Sequence, residues 1–559
     1  MTAHIRWQAL LVLTSIVLLA VLVIYLAINF TTVVIPDRGG TYLEGIVGVP
    51  QYINPILCQY NQTDRDLAAL VFNGLTKVSA ANEIVPDLAQ DFQVSPDGLT
   101  YVFTLKPEAR WQDGTPVTAD DVLFTVKAIQ DPNFQGVPYL AEAWRGVRAE
   151  KVDDLTVKFT MAEPFTPFID YTTVGLLPSH VLRDVPAAEL PRHPFNLQPI
   201  GTGPYMVEQV TGESAVLEAS PAPWTPVTYL NRLEFRFYPS YEAAFNAYER
   251  GLIEGLPGLR PEDMEWMRRH ESLQLFTAPL SGYSLIYLNS RNPNTPFFQD
   301  VKVRQALLYA LDRQGLIDHV LHGQGIVANN PILPTSWAYE AQIKTYPYDP
   351  DQAKRLLDEA GWIDSVGDGI REKDGRKLEF ALLGSDDPQR VRMLEDISRQ
   401  WAAVGVKARP ETAGVSGLVR DFLRPRHFEA LLSEWMELTP DPDPYPMWHS
   451  TQVNEDGQNY AGFVSPEADL AMEEARRITD RTRRAAMYGQ FQKIFAEEVP
   501  ALLLSYPVYN YAVDRLIHGV QLGPLLNSSD RFRTLDRWYI ATRRVIVSVA
   551  RQLGPALSK

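Results

Sequence analysis

The first 36 residues constrain this chain most, because no charged residue lies between Arg6 and Asp37. Residues 10–30 are nearly all Leu, Val, Ile and Ala, and a helix of about 20 apolar residues spans a bilayer. The run exceeds the roughly 7–15 apolar residues of a cleaved signal peptide, and no Ala-x-Ala sequence follows it. The sequence therefore predicts a transmembrane anchor over residues 9–35, with a buried core helix as the alternative.

The charge that flanks this run predicts its orientation. Arg6 is the only charged residue before it, and positive flanks stay in the cytoplasm. We expect residues 1–8 to form a cytoplasmic tip and residues 36–41 to be a linker to an extracytoplasmic body, either periplasmic or on the cell surface. Cys58, the single cysteine, lies too far downstream to carry a lipid anchor, and we expect it to be buried.

Charge and motifs exclude several classes of function. The 559 residues carry a net charge of −16, which argues against nucleic-acid binding. The chain has no His-Glu-x-x-His, Gly-x-Ser-x-Gly or Walker lysine loop, so we predict neither an enzyme nor a cofactor. The nine histidines are scattered, and we predict no metal site. The Asp-rich segment 364–375 places Val366 at the middle ligand position of a calcium loop, so a hairpin between Trp362 and Phe380 is the preferred interpretation.

Local patterns indicate an α/β protein. Residues 99–105 and 155–161 alternate apolar and polar side chains, which predicts half-buried strands. Between them, Thr118 with Asp121 predicts the start of a helix. Asp349-Pro350 and Ser465-Pro466 predict two further helix starts, and residues 312–315 predict a break between two helices. Strand-like runs at 283–289 and 501–506 alternate with these helices.

A proline-rich stretch lies between Trp435 and Trp448. Its four prolines among aromatic and acidic residues predict a rigid loop without regular structure. Such loops on an α/β scaffold often bind ligands. An interdomain crossover without ligand contact explains the same composition equally well.

Six motifs in order resemble the extracytoplasmic solute-binding proteins of the peptide/nickel-type, or oligopeptide/dipeptide-binding, ABC importer family. The resemblance runs from about Gly39 to about Tyr539. The motifs are Leu-Val-Phe-Asn-Gly-Leu at 70–75, Val-Pro-Asp-Leu-Ala at 85–89 with 94–103 and 111–122, Pro-Ile-Gly-Thr-Gly-Pro-Tyr at 199–205, Asp-Val-Lys-Val-Arg-Gln-Ala-Leu at 300–307, Ala-Leu-Asp-Arg at 310–313 and Glu-Glu-Val-Pro-Ala at 497–501.

The resemblance implies a periplasmic-binding-protein-like clamp of two lobes, with an extra subdomain inserted in the first. Lobe I is expected at 40–72, 195–279 and 512–545, the inserted subdomain at 73–194, and lobe II at 280–511. Residues 546–559 are expected to be a C-terminal tail. The lobes are expected to close on a ligand between them.

The same resemblance implies the ligand-binding residues. Peptide-binding members have a Trp-x-x-Asp-Tyr-x-x-Pro stretch whose Asp pairs with the α-ammonium of the ligand. Trp435 and Pro442 match its ends, but Leu438 stands at the Asp position, with Met436 and Glu437 before it. The stretch 60–62 and one strand residue are expected to face the ligand as well, with core packing as the alternative for the two tyrosines. These residues are Tyr60, Asn61, Gln62 and Tyr283.

The predicted function is capture of a peptide or peptide-sized solute by a monomer that delivers it to the permease subunits of an ABC importer. Non-peptide solutes such as a nickel chelate, an oligosaccharide, an opine or haem are alternatives. A second alternative function is that of a sensor that presents its ligand to a membrane receptor. Because Leu438 cannot neutralise an ammonium, peptides with a free amino terminus are expected to bind weakly. The alternative is that the loop shifts by one residue and Glu437 takes the place of the aspartate.

Overall fold

The computed structural model describes residues 7, 13–23, 32–221, 224, 227–436, 438–454 and 457–546. Residues 13–23 are helical, and among the described residues no helix is both long and apolar enough to cross a membrane. The rest of the predicted anchor up to residue 31, the predicted tip apart from Trp7, and residues 547–559 lie outside the described residues. At the end of the predicted anchor, Thr32–Pro36 is a strand, because it pairs with the antiparallel strand Thr542–Ile546.

The strands are numbered in chain order. They are β1 Thr32–Pro36, β2 Thr41–Val47, β3 Thr76–Val78, β4 Ile84–Pro86, β5 Ala89–Val94, β6 Thr100–Leu105, β7 Arg148–Lys151, β8 Thr156–Thr160, β9 Tyr205–Val210, β10 Ser214–Ala219, β11 Arg232–Tyr238, β12 Gly255–Pro257, β13 Leu273–Pro279, β14 Gly282–Leu288, β15 Ile326–Val327, β16 Glu372–Lys373, β17 Arg376–Lys377, β18 Glu379–Ser385, β19 Lys407–Ala413, β20 Ala430–Met436, β21 Ala501–Tyr506, β22 Val508–Asp514 and β23 Thr542–Ile546.

The helices are named by their residues. The α-helices are Gln62–Val71, Ala119–Gln130, Pro138–Trp144, Phe168–Tyr171, Ser179–Leu182, Tyr241–Glu249, Met264–Arg268, Val301–Tyr309, Arg313–His319, Pro350–Glu359, Pro388–Ala402, Val415–Gly417, Tyr445–Trp448, Pro466–Arg477 and Arg481–Glu498. The 3₁₀ turns are Cys58–Tyr60, Ala187–Arg192, Pro194–Asn196, Pro261–Asp263, Pro296–Gln299, Ser450–Val453 and Ser528–Arg537, and Leu418–Leu423 is a π-helix.

Two large sheets form the body. One has seven strands in the order β13-β22-β12-β2-β11-β10-β9, and the other has six in the order β15-β21-β14-β20-β18-β19. The chain passes from the first to the second through Leu280 and Ser281, and it returns at Pro507, ahead of the expected boundary at 511–512. The two passages lie together, because Leu280 N–H donates to the Pro507 carbonyl at 3.0 Å.

The six-stranded sheet is covered on both faces. Successive side chains of a strand point to opposite faces, and β14 shows this directly. Ile286 and Leu288 pack in one buried apolar cluster, whereas Tyr283, Leu285 and Tyr287 pack in another. Strands β18, β19, β20 and β21 run in one direction, so their carboxyl ends meet at a single edge of the sheet.

A smaller part, here called the insert, is built on the four-stranded sheet β5-β6-β8-β7 and the hairpin β3-β4. The strand β6 alternates half-buried and buried side chains, as its sequence predicts. The helix Ala119–Gln130 begins after Thr118, as predicted, with a capping box in which Thr118 and Asp121 bond to each other's backbone.

Other local predictions are also confirmed. Asp349 and Ser465 each cap a helix through their side chains. The helices Val301–Tyr309 and Arg313–His319 are separate, as predicted, but the break lies at residues 310–312 and Gly315 is inside the second helix. The Asp-rich segment forms the predicted hairpin, β16-β17, with Asp374 and Gly375 at its turn. Cys58 is buried.

Candidate functional site

Four of the expected ligand-binding residues lie at the carboxyl edge of the six-stranded sheet. In the β14–β20 ladder Tyr283 stands opposite Trp435, and Gly282 stands opposite Met436. Leu438 follows directly, and its carbonyl accepts a hydrogen bond from Ser281 Oγ at 2.7 Å. Ligands of α/β proteins bind outside the carboxyl ends of strands, so this edge is where a site is expected.

Tyr283 itself is a core residue. Its side chain has no exposed surface, and its hydroxyl contacts the Met447 sulfur at 3.5 Å. Burial raises the pKa of this hydroxyl. The side chain therefore packs in the core at the sheet edge. Core packing was the alternative to ligand contact for this residue. Glu437 lies outside the described residues.

The other three expected residues lie beside the seven-stranded sheet. Asn61 caps the helix Gln62–Val71 by accepting from Thr63 N–H at 3.0 Å, and it donates to the Val49 carbonyl at 2.8 Å. Gln62 donates to Asp66 at 2.7 Å. Tyr60, in contrast, is 65% exposed, and it donates its hydroxyl to the Gly136 carbonyl of the insert at 3.2 Å. The side chains of Asn61 and Gln62 stabilise the local structure. Tyr60 is the residue of the three whose side chain is mainly exposed.

A cavity with an empty volume of about 470 Å³ lies beside Leu438. Its walls come from Asn82 in the insert, Ser281 in the passage between the sheets, the segment 331–336 and the loop 438–444. We call it the Asn82 cavity. It lies where three parts of the chain meet.

The acidic residues of the loop are neutralised by arginines. Arg484 donates to both carboxylate oxygens of Asp441, at 2.6 and 2.5 Å. Arg476 donates to Asp443 at 2.9, 3.2 and 2.6 Å. Such two-point pairs fix the carboxylate in both position and charge. The loop is therefore rigid, as predicted, but neither aspartate has a free charge to offer a ligand.

The insert reaches across to this loop. Asp441 N–H donates to Asp170 Oδ2 at 2.9 Å, whereas Asp170 Oδ1 is buried without a hydrogen-bond partner. Nearby, Thr166 N–H donates to the Arg476 carbonyl at 3.0 Å. Burial, followed by the charge of Asp441, raises the pKa of Asp170 well above its usual range. The loop is thus packed between the insert and the helices that supply the arginines.

Sequence reasoning missed Asn82, Asp170 and both arginines. Asn82 does have a local signal, since it lies in a turn and its φ is +60°, a conformation that asparagine tolerates. No local sequence signal indicates the pairing of Arg484 with Asp441, because the partners are far apart in the chain.

Comparisons with known proteins agree with this architecture. A model described as "Bacterial extracellular solute-binding proteins, family 5 Middle" matches residues 83–457. This chain belongs to that family. The oligopeptide-binding protein AppA of Bacillus subtilis (strain 168) is 30% identical over 518 residues, which cover 90% of this chain and 92% of AppA. The dipeptide-binding protein of Escherichia coli (strain K12) is 28% identical, over 86% of this chain and 91% of its own.

Solved structures of this family have the same two-lobed α/β fold. The structure of AppA from Bacillus subtilis in complex with a nonapeptide superposes with a TM-score of 0.71 at 29% identity, over 91% of this chain and all of that one. NikZ from Campylobacter jejuni in complex with Ni(L-His) gives 0.73 at 26% identity, over 89% and 99%. The chain is therefore an extracytoplasmic solute-binding protein.

Proposed function

We propose that this protein captures a peptide-sized solute without a free ammonium group and delivers it to an ABC importer. The observation that carries the proposal is the environment of Leu438. This apolar side chain lines the Asn82 cavity, and both neighbouring aspartates are paired with arginines. An ammonium placed there would lose its water without gaining a free carboxylate from Asp441 or Asp443, and that is costly.

Capture by closure fits the connections of the chain. Only two passages, at residues 280–281 and at 507, join the two large sheets in the described part of the chain. A hinge needs few residues, and a ligand that contacts both halves only when they are closed shifts the population toward the closed form. We propose lobe I at 40–72, 195–279 and 508–545, the inserted subdomain at 73–194, and lobe II at 280–507, because β22 belongs to the seven-stranded sheet.

The relatives support a peptide-like solute more than another class. AppA and the Escherichia coli protein are named for oligopeptides and dipeptides, whereas NikZ holds Ni(L-His) and a Haemophilus influenzae relative at 29% identity is named a haem-binding protein. We propose a peptide whose amino terminus is blocked or absent, with Tyr60 and Trp435 among its contacts.

We propose that residues 9–31 anchor the protein in the membrane, with the body outside the cell. Each large apolar side chain of the described helix 13–23 is more than half exposed, so none of them is buried against the described residues of the body. A helix that is apolar on all sides needs an apolar environment, either a protein core or a membrane. Carbonate washing of membranes tests the anchor: the full chain is expected to stay in the pellet, and a variant that lacks residues 1–31 is expected to be released. Release of the full chain would contradict it.

Mass spectrometry of the purified full-length protein tests the captured solute. We expect an organic compound of peptide size to leave the protein on unfolding, and we expect this compound to resist reagents that label primary amines. Addition of the compound is expected to raise the unfolding temperature of stripped protein, because a ligand stabilises the state that it binds. No bound compound, together with no stabilisation by any free or capped peptide, would contradict the proposed function.

A further inference from the structure

The strands β1 and β23 form a two-stranded sheet of their own, which we call the ribbon. Val34 stands opposite Arg544, and Thr32 stands opposite Ile546. Residues directly opposite each other in antiparallel strands have their side chains on the same face, and so do alternate residues of one strand. These four side chains therefore share one face, which we call the outer face of the ribbon.

The two faces of the ribbon differ in exposure. On the inner face Ile35 is buried, and Arg543, which stands opposite it, lies 3.7 Å from a carboxylate oxygen of Asp37. On the outer face Val34 is 55% exposed and Ile546 is 57% exposed. The outer face thus presents apolar surface that the described residues leave open.

Arg544 is the cation of the outer face. Its side chain is exposed, and its guanidinium donates to the uncharged Thr32 Oγ1 at 3.4 Å. Arg543, in contrast, lies beside the acidic Asp37. Exposed apolar side chains next to an arginine suit a membrane interface, because the arginine extends its charge to the headgroups while the apolar side chains face the acyl chains.

The ribbon begins where the proposed membrane anchor ends, at residue 31. A strand rises about 3.3 Å per residue, so the pair of Thr32 and Ile546 lies within about 4 Å of the end of the anchor, and the pair of Val34 and Arg544 lies within about 10 Å. The headgroup layer on each side of a bilayer is about 5–8 Å thick. Both pairs therefore lie in this layer or at its outer boundary.

We propose that the outer face of the ribbon is a lipid-binding surface for anionic phospholipid headgroups of the membrane that holds the anchor. Arg544 pairs with a headgroup phosphate, and Val34 and Ile546 lie against the upper part of the acyl chains. This inference rests on the proposed membrane anchor and extends it, because it ties the C-terminal strand to the same membrane. Two attachment points then restrict how the body turns above the bilayer.

Fluorescence of the full-length protein in lipid nanodiscs tests where the ribbon lies. Ile546→Cys is labelled with a fluorophore in the folded protein, where Cys58, the single native cysteine, is buried. Phosphatidylcholine that carries a nitroxide near its headgroup is expected to quench this fluorophore. The same label on Val366→Cys, at an exposed position of the six-stranded half, is the control and is expected to stay unquenched.

Lipid charge tests the role of Arg544. In nanodiscs of phosphatidylcholine and phosphatidylglycerol in equal parts, amide hydrogen exchange in β23 is expected to be about fivefold slower than in phosphatidylcholine alone, the factor that one arginine contributes near an anionic surface. Arg544→Gln is expected to abolish this difference, and Arg544→Lys is expected to keep most of it. Arg543→Gln, one residue away on the inner face, is the matched control and is also expected to keep it.

The possible failures can be told apart. If the label at residue 546 is not quenched while the protein stays in the nanodisc, the ribbon does not lie on the membrane, and the inference is wrong although the anchor stands. If exchange in β23 is the same in both lipids, or if Arg544→Gln keeps the difference, the binding of anionic headgroups is wrong. If the protein leaves the nanodisc, the anchor and the inference both fail. Solute capture is tested separately, by the mass spectrometry proposed above.

Discussion

Arg484 clamps Asp441 through two parallel hydrogen bonds, and neither side chain has appreciable exposure to solvent. The helix Arg481–Glu498 thereby fixes the loop after β20 in place. The pair also neutralises the carboxylate of Asp441, which lies three residues after Leu438 in the same loop.

Removing this clamp is expected to destabilise the protein strongly. Arg484→Ala leaves Asp441 buried and unpaired, which costs about 3–5 kcal/mol. Urea unfolding will measure the loss. Arg483→Ala, at an exposed position of the same helix, is the matched control and is expected to stay within about 0.5 kcal/mol of the unaltered protein. Equal effects of the two substitutions would show that the pair contributes nothing.

The buried cluster around Arg531 is expected to be equally important for the seven-stranded half. Arg531 donates to Glu44 at 2.6 Å and to Asp66 at 2.6 Å, and all three side chains are buried. Arg531→Ala leaves two buried carboxylates without a cation, so we expect a loss of at least about 3–5 kcal/mol in urea unfolding. Arg537→Ala, at an exposed position of the same turn, is expected to cost little. A small loss for Arg531→Ala would contradict the cluster's role.

Asp170 is expected to make stability depend on pH. Its pKa in the native state is raised, first by burial and then by Asp441, whereas the backbone N–H of Asp441 and the charge of Arg484 oppose the rise. The native state therefore holds this proton more tightly than the unfolded chain, whose Asp pKa is about 3.9. Stability is lost as pH rises from about 4 through the raised pKa.

Asp170→Asn is expected to remove that loss. Relative to the unaltered protein, its unfolding free energy should gain about 1.4 kcal/mol for each pH unit within this window. Chemical unfolding at intervals between pH 4 and 7 will show it. Asp184→Asn, exposed on the same part of the chain, should leave the pH profile unchanged. Parallel profiles for Asp170→Asn and the unaltered protein would overturn the assignment.

Leu438→Asp is expected to create a site for a free amino terminus. The new carboxylate has no arginine of its own, because Arg484 and Arg476 already hold Asp441 and Asp443. A charged hydrogen bond contributes about 1.5–3 kcal/mol, so tri-alanine should bind about 10–100 times more tightly than it binds the unaltered protein. Leu438→Asn is the uncharged control. If Leu438→Asp binds N-acetylated tri-alanine with the same increase in affinity, this interpretation is contradicted.

Local sequence signals predicted local structure well. The alternation in 99–105, the capping box of Thr118 and Asp121, and the Asp349 cap each act within a few residues, and all three are present. The two-lobed architecture came from the family resemblance instead. The end of the predicted anchor was wrong, because the pairing of β1 with β23 joins residues from opposite ends of the chain.

The candidate site was predictable only in part. The resemblance placed Trp435 and Leu438, and the structure places both beside Tyr283 and Ser281. The neutral charge of the loop could not be predicted, since it depends on arginines in later helices. Asp170 was also unpredictable, because it meets the loop only after the insert has packed against it.

Isothermal titration calorimetry of the unaltered protein with one matched pair of peptides tests the central claim most directly. The pair has the same sequence, chosen from a tri- and tetrapeptide library, with either a free or an acetylated amino terminus. The environment of Leu438 predicts that the acetylated peptide binds more tightly and that the free one binds weakly or not at all. Submicromolar binding of the free peptide that disappears on acetylation would contradict the account.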